Sequence, residues 1–213
     1  MKHQLLAAVV LAAVTSGPRA LADVTPFLIS GQGVSVSGTL TYGPNTVVGD
    51  PAGSFAITGI SGTFSDTNIG LSNLAITGLV PINPVSPYKG LPFPVSFSSV
   101  AVTNPPYPGE GTSYDNLYYP GGSPIVCPDY PGSGGFLDVY GVMFKLSNGF
   151  TVDLYSNGTV APGQPLYYGV VVINESGTIV DARLAVPEPG SVVLLGVGLL
   201  GLAAWRGRTR RAG

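Results

Sequence analysis

Four acidic residues in the middle of the chain are the first candidates for chemistry, because paired carboxyl groups can act as general acid and base. A glycoside hydrolase places two carboxyl groups about 5–10 Å apart around the sugar that it cleaves. The four acids are Glu110, Asp115, Asp129 and Asp138. Solvated acids on the surface of an acidic protein are the commoner alternative. A carboxylate-dependent glycan hydrolase or lyase is therefore the second hypothesis for this chain.

Histidine, the usual partner in nucleophilic catalysis, is confined to the N-terminus. His3 is the only histidine, and it falls within a predicted signal peptide over residues 1–22. Without it the chain lacks the usual base for a serine or cysteine nucleophile and the usual zinc ligand. We therefore expect a protein that is not an enzyme, with no catalytic residues and no zinc site.

Calcium is the cofactor that the acidic residues could hold. This cation takes several oxygen ligands from flexible loops, and the candidate acids with Asn116 and loop carbonyls could supply them. The chain contains no Asp-x-Asp-x-Asp-Gly loop, the usual calcium-binding pattern. The sequence therefore predicts no required cofactor and leaves calcium as an open alternative.

A Pro/Tyr-rich region over residues 81–131 could contact sugars. It holds twelve of the chain's twenty prolines, which disfavour central strands, so we predict a long loop with one strand near residues 95–103. Tyrosine rings suit stacking on sugar rings, and they equally suit packing over the edge of a core. The candidate glycan contacts are Tyr107, Tyr114, Tyr118 and Tyr119.

The charge balance argues against one class of partner. Between Asp23 and Gly190, three basic residues oppose eleven acidic ones, a net charge of −8. A domain this acidic repels phosphate backbones, so we expect no nucleic-acid partner. Cys127 is the only cysteine, which excludes an intramolecular disulfide and leaves either a buried thiol or a bridge between two chains.

The residues between the two ends predict an all-β domain. Only 9% of the chain is charged, and 31 glycines punctuate short runs of apolar and β-branched residues. This pattern is typical of strands joined by tight turns. We predict a single β-sandwich or jelly-roll-like domain over residues 23–185. Asn148-Gly149, between two such runs, predicts a hairpin.

A short internal repeat predicts two strands that bend. The pentapeptide at residues 56–60 recurs nineteen residues later at 75–79, as Ala-Ile-Thr-Gly followed by Ile or Leu. In each copy the two large apolar residues are three apart. They can face the same side of a strand only if a bulge or bend intervenes, for which the glycine is suited.

The N-terminus predicts export. Lys2 precedes an apolar run over residues 5–14, and Ala20 and Ala22 give the small-residue pattern of a signal peptidase site. Ten apolar residues are too few to cross a bilayer, which takes about 20 in a helix. We therefore predict cleavage after Ala22.

The C-terminus predicts a second membrane-directed segment over residues 186–213, in three parts. A motif of Pro187, Glu188 and Pro189 comes first, and residues 191–205 follow without a charge. The chain then closes on a basic cluster formed by Arg206, Arg208, Arg210 and Arg211. We predict a short transmembrane helix over 191–205, with the arginines in the cytoplasm and the β domain outside.

This order of parts resembles the PEP-CTERM sorting signal of Gram-negative bacteria. The resemblance implies that Pro187, Glu188 and Pro189 are recognised by a membrane protease-transpeptidase, exosortase, and that the secretion machinery exports the chain. Proteins with this signal are associated with exopolysaccharide and biofilm. A permanent single-span anchor with a chance Pro-Glu-Pro is the alternative.

A second, looser resemblance to PEP-CTERM proteins covers three short motifs of the middle region. They are Asp115-Asn116-Leu117, Phe136-Leu137-Asp138 and Asn148-Gly149. It implies a β-sandwich and no particular activity. The leading hypothesis is therefore a non-enzymatic surface or matrix protein, held first in the membrane and then found at the cell surface or outside the cell. Its expected partners are exosortase and exopolysaccharide.

Overall fold

The described part of the chain is all-β, as predicted. The structure is a computed structural model, and it describes residues 22–85, 94–104, 111–127, 129–159 and 166–187. The strands in these ranges are β1 (Asp23–Gly31), β2 (Val34–Pro44), β3 (Phe55–Asp66), β4 (Leu71–Leu79), β5 (Ser98–Ala101), β6 (Gly111–Tyr114), β7 (Leu117–Tyr118), β8 (Val142–Leu146), β9 (Thr151–Gly158), β10 (Tyr167–Ile173) and β11 (Ile179–Pro187). One 3₁₀ turn at Thr67–Ile69 accompanies them.

A large antiparallel sheet contains nine of these strands. The strand order along it is β1-β2-β3-β4-β8-β9-β10-β11, and β7 pairs with the start of β3. The two end strands, β1 and β11, lie in contact, so the twisted sheet curls around its own inner face. β5 and β6 form a separate two-stranded sheet. The arrangement is consistent with the predicted β-sandwich.

No helix within the described ranges is long and apolar enough to cross a membrane. The predicted transmembrane helix over residues 191–205 lies outside those ranges, as does the predicted signal peptide apart from Ala22.

Both copies of the internal repeat bend as predicted. In β3, Thr58 is an extra residue, because successive residues of β2 pair with Ile57 and Gly59. In β4, Thr77 is the extra residue in the same way, opposite β8. A one-residue bulge reverses the alternation of faces along a strand. Ile57 and Ile60 therefore both enter the core, although they are three residues apart.

The core lies on the inner face of the large sheet, where apolar residues alternate with outward-facing ones. Its fully buried side chains include Ile29, Val36, Phe64, Phe144, Val152 and Val170. The rings of Phe64 and Phe144 meet edge to face, with their centroids 6.4 Å apart. Its side chains come from strands β1 to β10, so a single core spans the large sheet.

The predicted Asn148-Gly149 turn joins β8 to β9. The Leu146 N–H donates to the Phe150 carbonyl at 2.8 Å, and the Gly149 N–H donates to the Leu146 carbonyl at 3.0 Å. Gly149 has a φ of 84°, which glycine adopts without steric cost. The hairpin prediction is confirmed.

Between β4 and β8, the described residues form the separate β5–β6 sheet and the short strand β7, which pairs with β3 of the large sheet. This part of the chain contains β5, β6 and β7, so it holds more regular structure than the single strand predicted for residues 81–131. The Asn104 side chain bonds to β11. It donates to the Ile179 carbonyl at 3.0 Å and accepts from the Ile179 N–H at 2.7 Å. Asn104 therefore ties this part of the chain to β11.

Candidate functional site

Two of the four candidate acids, Asp115 and Asp138, meet in the interior. Asp115 follows β6, and its Oδ1 accepts the Leu117 N–H at 3.1 Å. Asp138 lies shortly before β8, and its Oδ1 accepts the N–H groups of Tyr140 at 2.9 Å and Gly141 at 3.1 Å. The two carboxyl groups are within hydrogen-bond reach of each other. Each acid thus fixes its own turn and also contacts the other.

The contact between Asp115 and Asp138 requires a proton. No N–H or O–H donor of the described residues reaches Asp115 Oδ2, and two ionised carboxylates cannot hydrogen-bond to each other. Burial and then the charge of Asp138 raise the pKa of Asp115 well above its usual range. Burial raises the pKa of Asp138 too, but hydrogen bonds from Asp115 and three further donors oppose that effect. Asp138 accepts hydrogen bonds from three N–H or O–H donors and Asp115 from one, so the charge is favoured on Asp138 and the proton on Asp115.

Tyr119 and Asp153 complete this group. The Tyr119 hydroxyl donates to Asp138 Oδ2 at 2.9 Å, and burial with the charge of Asp138 raises the pKa of Tyr119, so it remains a donor. Asp153 of β9 is also buried, and burial, followed by the charge of Asp138, raises its pKa well above the usual range. We call Asp115, Asp138, Asp153 and Tyr119 the acid cluster.

Asn116 joins the acid cluster to the large sheet. Its side-chain amide donates to the Val80 carbonyl at 2.9 Å, and its Oδ1 accepts the Met143 N–H at 3.0 Å. Its backbone N–H donates to the Gly141 carbonyl and its backbone carbonyl accepts from Ile57, both at 2.9 Å. Asn116 has a φ of 53°, a left-handed conformation that asparagine tolerates better than most residues. One residue thus connects β3, the end of β4 and β8.

The acid cluster is enclosed by the fold. Asp115 is 1% exposed and Asp138 is 2% exposed, so both carboxyl groups are shielded from bulk solvent. Of the other two candidate acids, Asp129 is on the surface and Glu110 lies outside the described residues. Among the side chains that the structure describes, no group of three or more His, Cys, Asp or Glu is arranged to hold a metal ion. The cluster can share protons and fix turns.

The four candidate tyrosines have different surroundings. Tyr114 is buried and its hydroxyl donates to the Pro81 carbonyl at 2.7 Å, while Tyr119 is buried in the acid cluster. Tyr118 is partly exposed, with its ring centroid 4.6 Å from that of Tyr42. Tyr107 lies outside the described residues. Among the candidates in the described residues, Tyr118 therefore presents ring surface to solvent.

A second carboxyl contact was not found from the sequence. Asp66, at the end of β3, is completely buried and lies within hydrogen-bond reach of Asp181 on β11. Burial and this contact raise the pKa of Asp66, while Asp181 accepts from Arg183 Nε at 2.7 Å. Asp66 is recognisable from the sequence only as the cap of the 3₁₀ turn, where it accepts the Asn68 N–H at 3.0 Å.

The two predicted processing sites lie at the same end of the domain. Ala22, the residue before the predicted cleavage, is exposed and directly precedes β1, whereas Ala20 lies outside the described residues. β11 continues to Pro187, whose partner in β10 is Tyr167. The first proline of the motif therefore belongs to the sheet, two residues beyond the predicted domain boundary. Glu188, Pro189 and the four arginines lie outside the described residues.

Comparison with known proteins identifies the C-terminal segment. A protein-family model described as the PEP-CTERM protein-sorting motif matches residues 185–211. No curated protein and no solved structure matches the chain. The chain therefore carries a PEP-CTERM sorting motif, which marks it as an exported protein targeted to exosortase, and the resemblance seen in its last residues is confirmed.

Proposed function

We propose that this chain, which carries a PEP-CTERM sorting motif, is a non-enzymatic protein of the exopolysaccharide matrix. A signal peptide is removed after Ala22, and the tail then holds the chain in the membrane with one span and the β domain outside. Exosortase acts at Pro187, Glu188 and Pro189. The domain, a β-sandwich or jelly-roll-like fold, afterwards remains at the cell surface or in the biofilm matrix.

The enclosure of the acid cluster carries the non-enzymatic part of this proposal. A glycosidase needs two carboxyl groups that reach the sugar from opposite sides. Asp115 and Asp138 have raised pKa values, but both are buried and bonded to the turns around them. Burial raises both pKa values, and the charge of Asp138 raises that of Asp115 further. Such shifts also accompany structural acid networks.

Tyr118 and Tyr42 support the exopolysaccharide part of the proposal. Their rings are partly exposed and lie 4.6 Å apart, and Phe55 packs edge to face on Tyr42 at 5.5 Å. Aromatic faces with a hydroxyl at the rim suit sugar rings, which have apolar faces and polar edges. The proposed glycan contact is therefore this pair of tyrosines.

Sedimentation of the mature protein with the host's own exopolysaccharide tests the proposal, with and without calcium. We expect the protein to pellet with the polymer and to release no soluble sugar. Tyr118→Ala should weaken the binding roughly tenfold, a loss of about 1.4 kcal/mol. Tyr130→Ala removes another exposed tyrosine and should leave the affinity unchanged. The melting temperature of each variant checks that it is folded.

Two results would contradict the proposal. Release of sugar by the wild-type protein, lost in an Asp115→Asn variant that remains folded, would establish the carboxylate-dependent hydrolase or lyase instead. Failure of the wild-type protein to pellet with the polymer in either condition would exclude the association with exopolysaccharide.

A further inference from the structure

The domain begins and ends at one end of the large sheet. Asp23 opens β1 opposite Tyr42, close to the end of β2, and Pro187 closes β11 opposite Tyr167. β1 and β11 are in contact, and in this antiparallel sheet the first residue of β1 and the last residue of β11 lie at the same end. The loop between β2 and β3, residues 45–54, leaves the sheet at this end too. We call it the tail end of the domain.

Exposed valines are concentrated at the tail end. Val48 is 95% exposed, Val47 is 43% exposed, and both lie in the loop 45–54. Val24, the second residue of β1, is 60% exposed. Val95 lies beside the same loop, since a Cβ on Gly49 would come within 2.6 Å of its Cγ2. Apolar side chains left in water at one end of the sheet indicate a surface that meets another apolar phase.

The loop that presents these valines is braced. Asp50 accepts hydrogen bonds from the Ser96 N–H at 2.8 Å, the Ser96 hydroxyl at 2.6 Å and the Asn45 amide at 3.0 Å. The same Asn45 amide donates to the Ser54 hydroxyl at 2.8 Å, and its Oδ1 accepts the Val47 N–H at 3.0 Å. Val47 and Val48 are therefore held outward before any partner arrives, which lowers the entropy lost on contact.

The sequence places an apolar phase within reach of this surface. Ser191, where the uncharged run of the tail begins, is four positions after Pro187. A fully extended chain spans at most about 3.6 Å per residue, so the tail end can lie no more than about 14 Å from the start of that run. If the tail crosses the membrane, as proposed above, the tail end of the domain is held close to the lipid headgroups.

We propose that the tail end of the domain docks on the phospholipid bilayer through Val24, Val47 and Val48 while the tail is in place. The insertion is shallow, because valine side chains reach only the boundary between headgroups and acyl chains. Docking fixes the height and orientation of Pro187 above the membrane. The domain thereby presents its sorting motif to a membrane enzyme in one orientation. This inference rests on the proposed membrane anchoring of the tail.

Quenching by spin-labelled lipids tests the docking on the tail-bearing chain, purified from membranes and reconstituted in phosphatidylcholine and phosphatidylethanolamine vesicles. A fluorophore is attached at Val48→Cys or, as a control at the opposite end of the strands, at Glu175→Cys in the turn before β11. Cys127 is buried, and the mass of each product confirms labelling at one site. We expect at least threefold stronger quenching at position 48 than at position 175.

A pair of charge substitutions provides the matched control. With the fluorophore at Val24→Cys, Val48→Asp should reduce the quenching at least twofold, because a carboxylate resists transfer into lipid. Val180→Asp introduces the same charge at an exposed valine near the start of β11, away from the tail end. It should leave the quenching unchanged.

Trp205, the only tryptophan, reports separately on the tail. If Trp205 is quenched while positions 48 and 175 are quenched equally, the chain is anchored but the domain does not dock, and the inference falls while the proposed anchoring stands. If Trp205 is not quenched, the tail is not in the bilayer, and both the anchoring and the docking are contradicted.

Discussion

Asp138→Asn is expected to lower the free energy of unfolding by about 3 kcal/mol, whereas Asp115→Asn should lower it by less than about 1 kcal/mol. The difference follows from the position of the shared proton. Asp115 acts as a donor to Asp138, and an asparagine at 115 keeps a donor there and an acceptor for the Leu117 N–H. An asparagine at 138 would direct an NH₂ group towards Tyr119 and Asp115, which are themselves donors.

The raised pKa values of the buried aspartates predict how the stability of the fold varies with pH. The pKa values of Asp66, Asp115, Asp138 and Asp153 are all raised in the folded chain, while unfolded aspartates lose their protons near pH 4. Above about pH 4 the folded chain therefore binds more protons than the unfolded chain, so its stability falls as the pH rises towards the folded pKa values. Asp115→Asn should make this fall shallower.

Urea unfolding of the mature protein at acidic and at neutral pH measures both effects. Equal losses for the two substitutions would contradict the assignment of the proton to Asp115. A wild-type stability that rises from acidic to neutral pH would contradict the raised pKa values of the cluster.

Asn116→Ala is expected to lower the free energy of unfolding by about 4 kcal/mol. The substitution removes the partners of the Val80 carbonyl and the Met143 N–H, and an unsatisfied buried group costs about 1–3 kcal/mol. It also places an alanine at a φ of 53°, where an L-residue with a Cβ is strained by about 1 kcal/mol. The loss should be seen as a lower urea midpoint.

Two further variants separate these contributions. Asn73 has a φ of 48° but is exposed, so Asn73→Ala isolates the backbone strain and should cost about 1 kcal/mol. Asn116→Gly relieves the strain and still removes both side-chain hydrogen bonds, so it should recover only about 1 kcal/mol of the loss. If Asn116→Gly restored wild-type stability, Asn116 would be required for its backbone conformation alone.

Local sequence patterns predicted the bends and one of the hairpins of the fold. The repeated Ala-Ile-Thr-Gly predicted a bend because its apolar residues are three apart, and bulges occur at Thr58 and Thr77. Asn148-Gly149 predicted its hairpin because the turn geometry depends on these two residues. β1 was not predicted, since Pro26 interrupts its pattern; an edge strand tolerates a proline that cannot donate to a neighbour.

Contacts between distant residues could not be predicted in this way. Asp115 and Asp138 were recognised as candidates, but their pairing and burial depend on how residues 80–141 return to the sheet. Tyr119 was a candidate for sugar contact, and only the fold reveals that its hydroxyl is bonded to Asp138. Asp66 and Asp181 are far apart in the sequence and meet because β1 and β11 bring the ends of the sheet together.

The mass of the protein isolated from its host, with and without a functional exosortase, tests the central claim that this is an exported chain processed through its PEP-CTERM motif. We expect the wild-type product to begin at Asp23 and to end before Arg206, in the surface or extracellular fraction. Without exosortase the product should keep all four arginines and remain in the membrane. A product that extends to Gly213 in both strains, in the same fraction, would contradict the account.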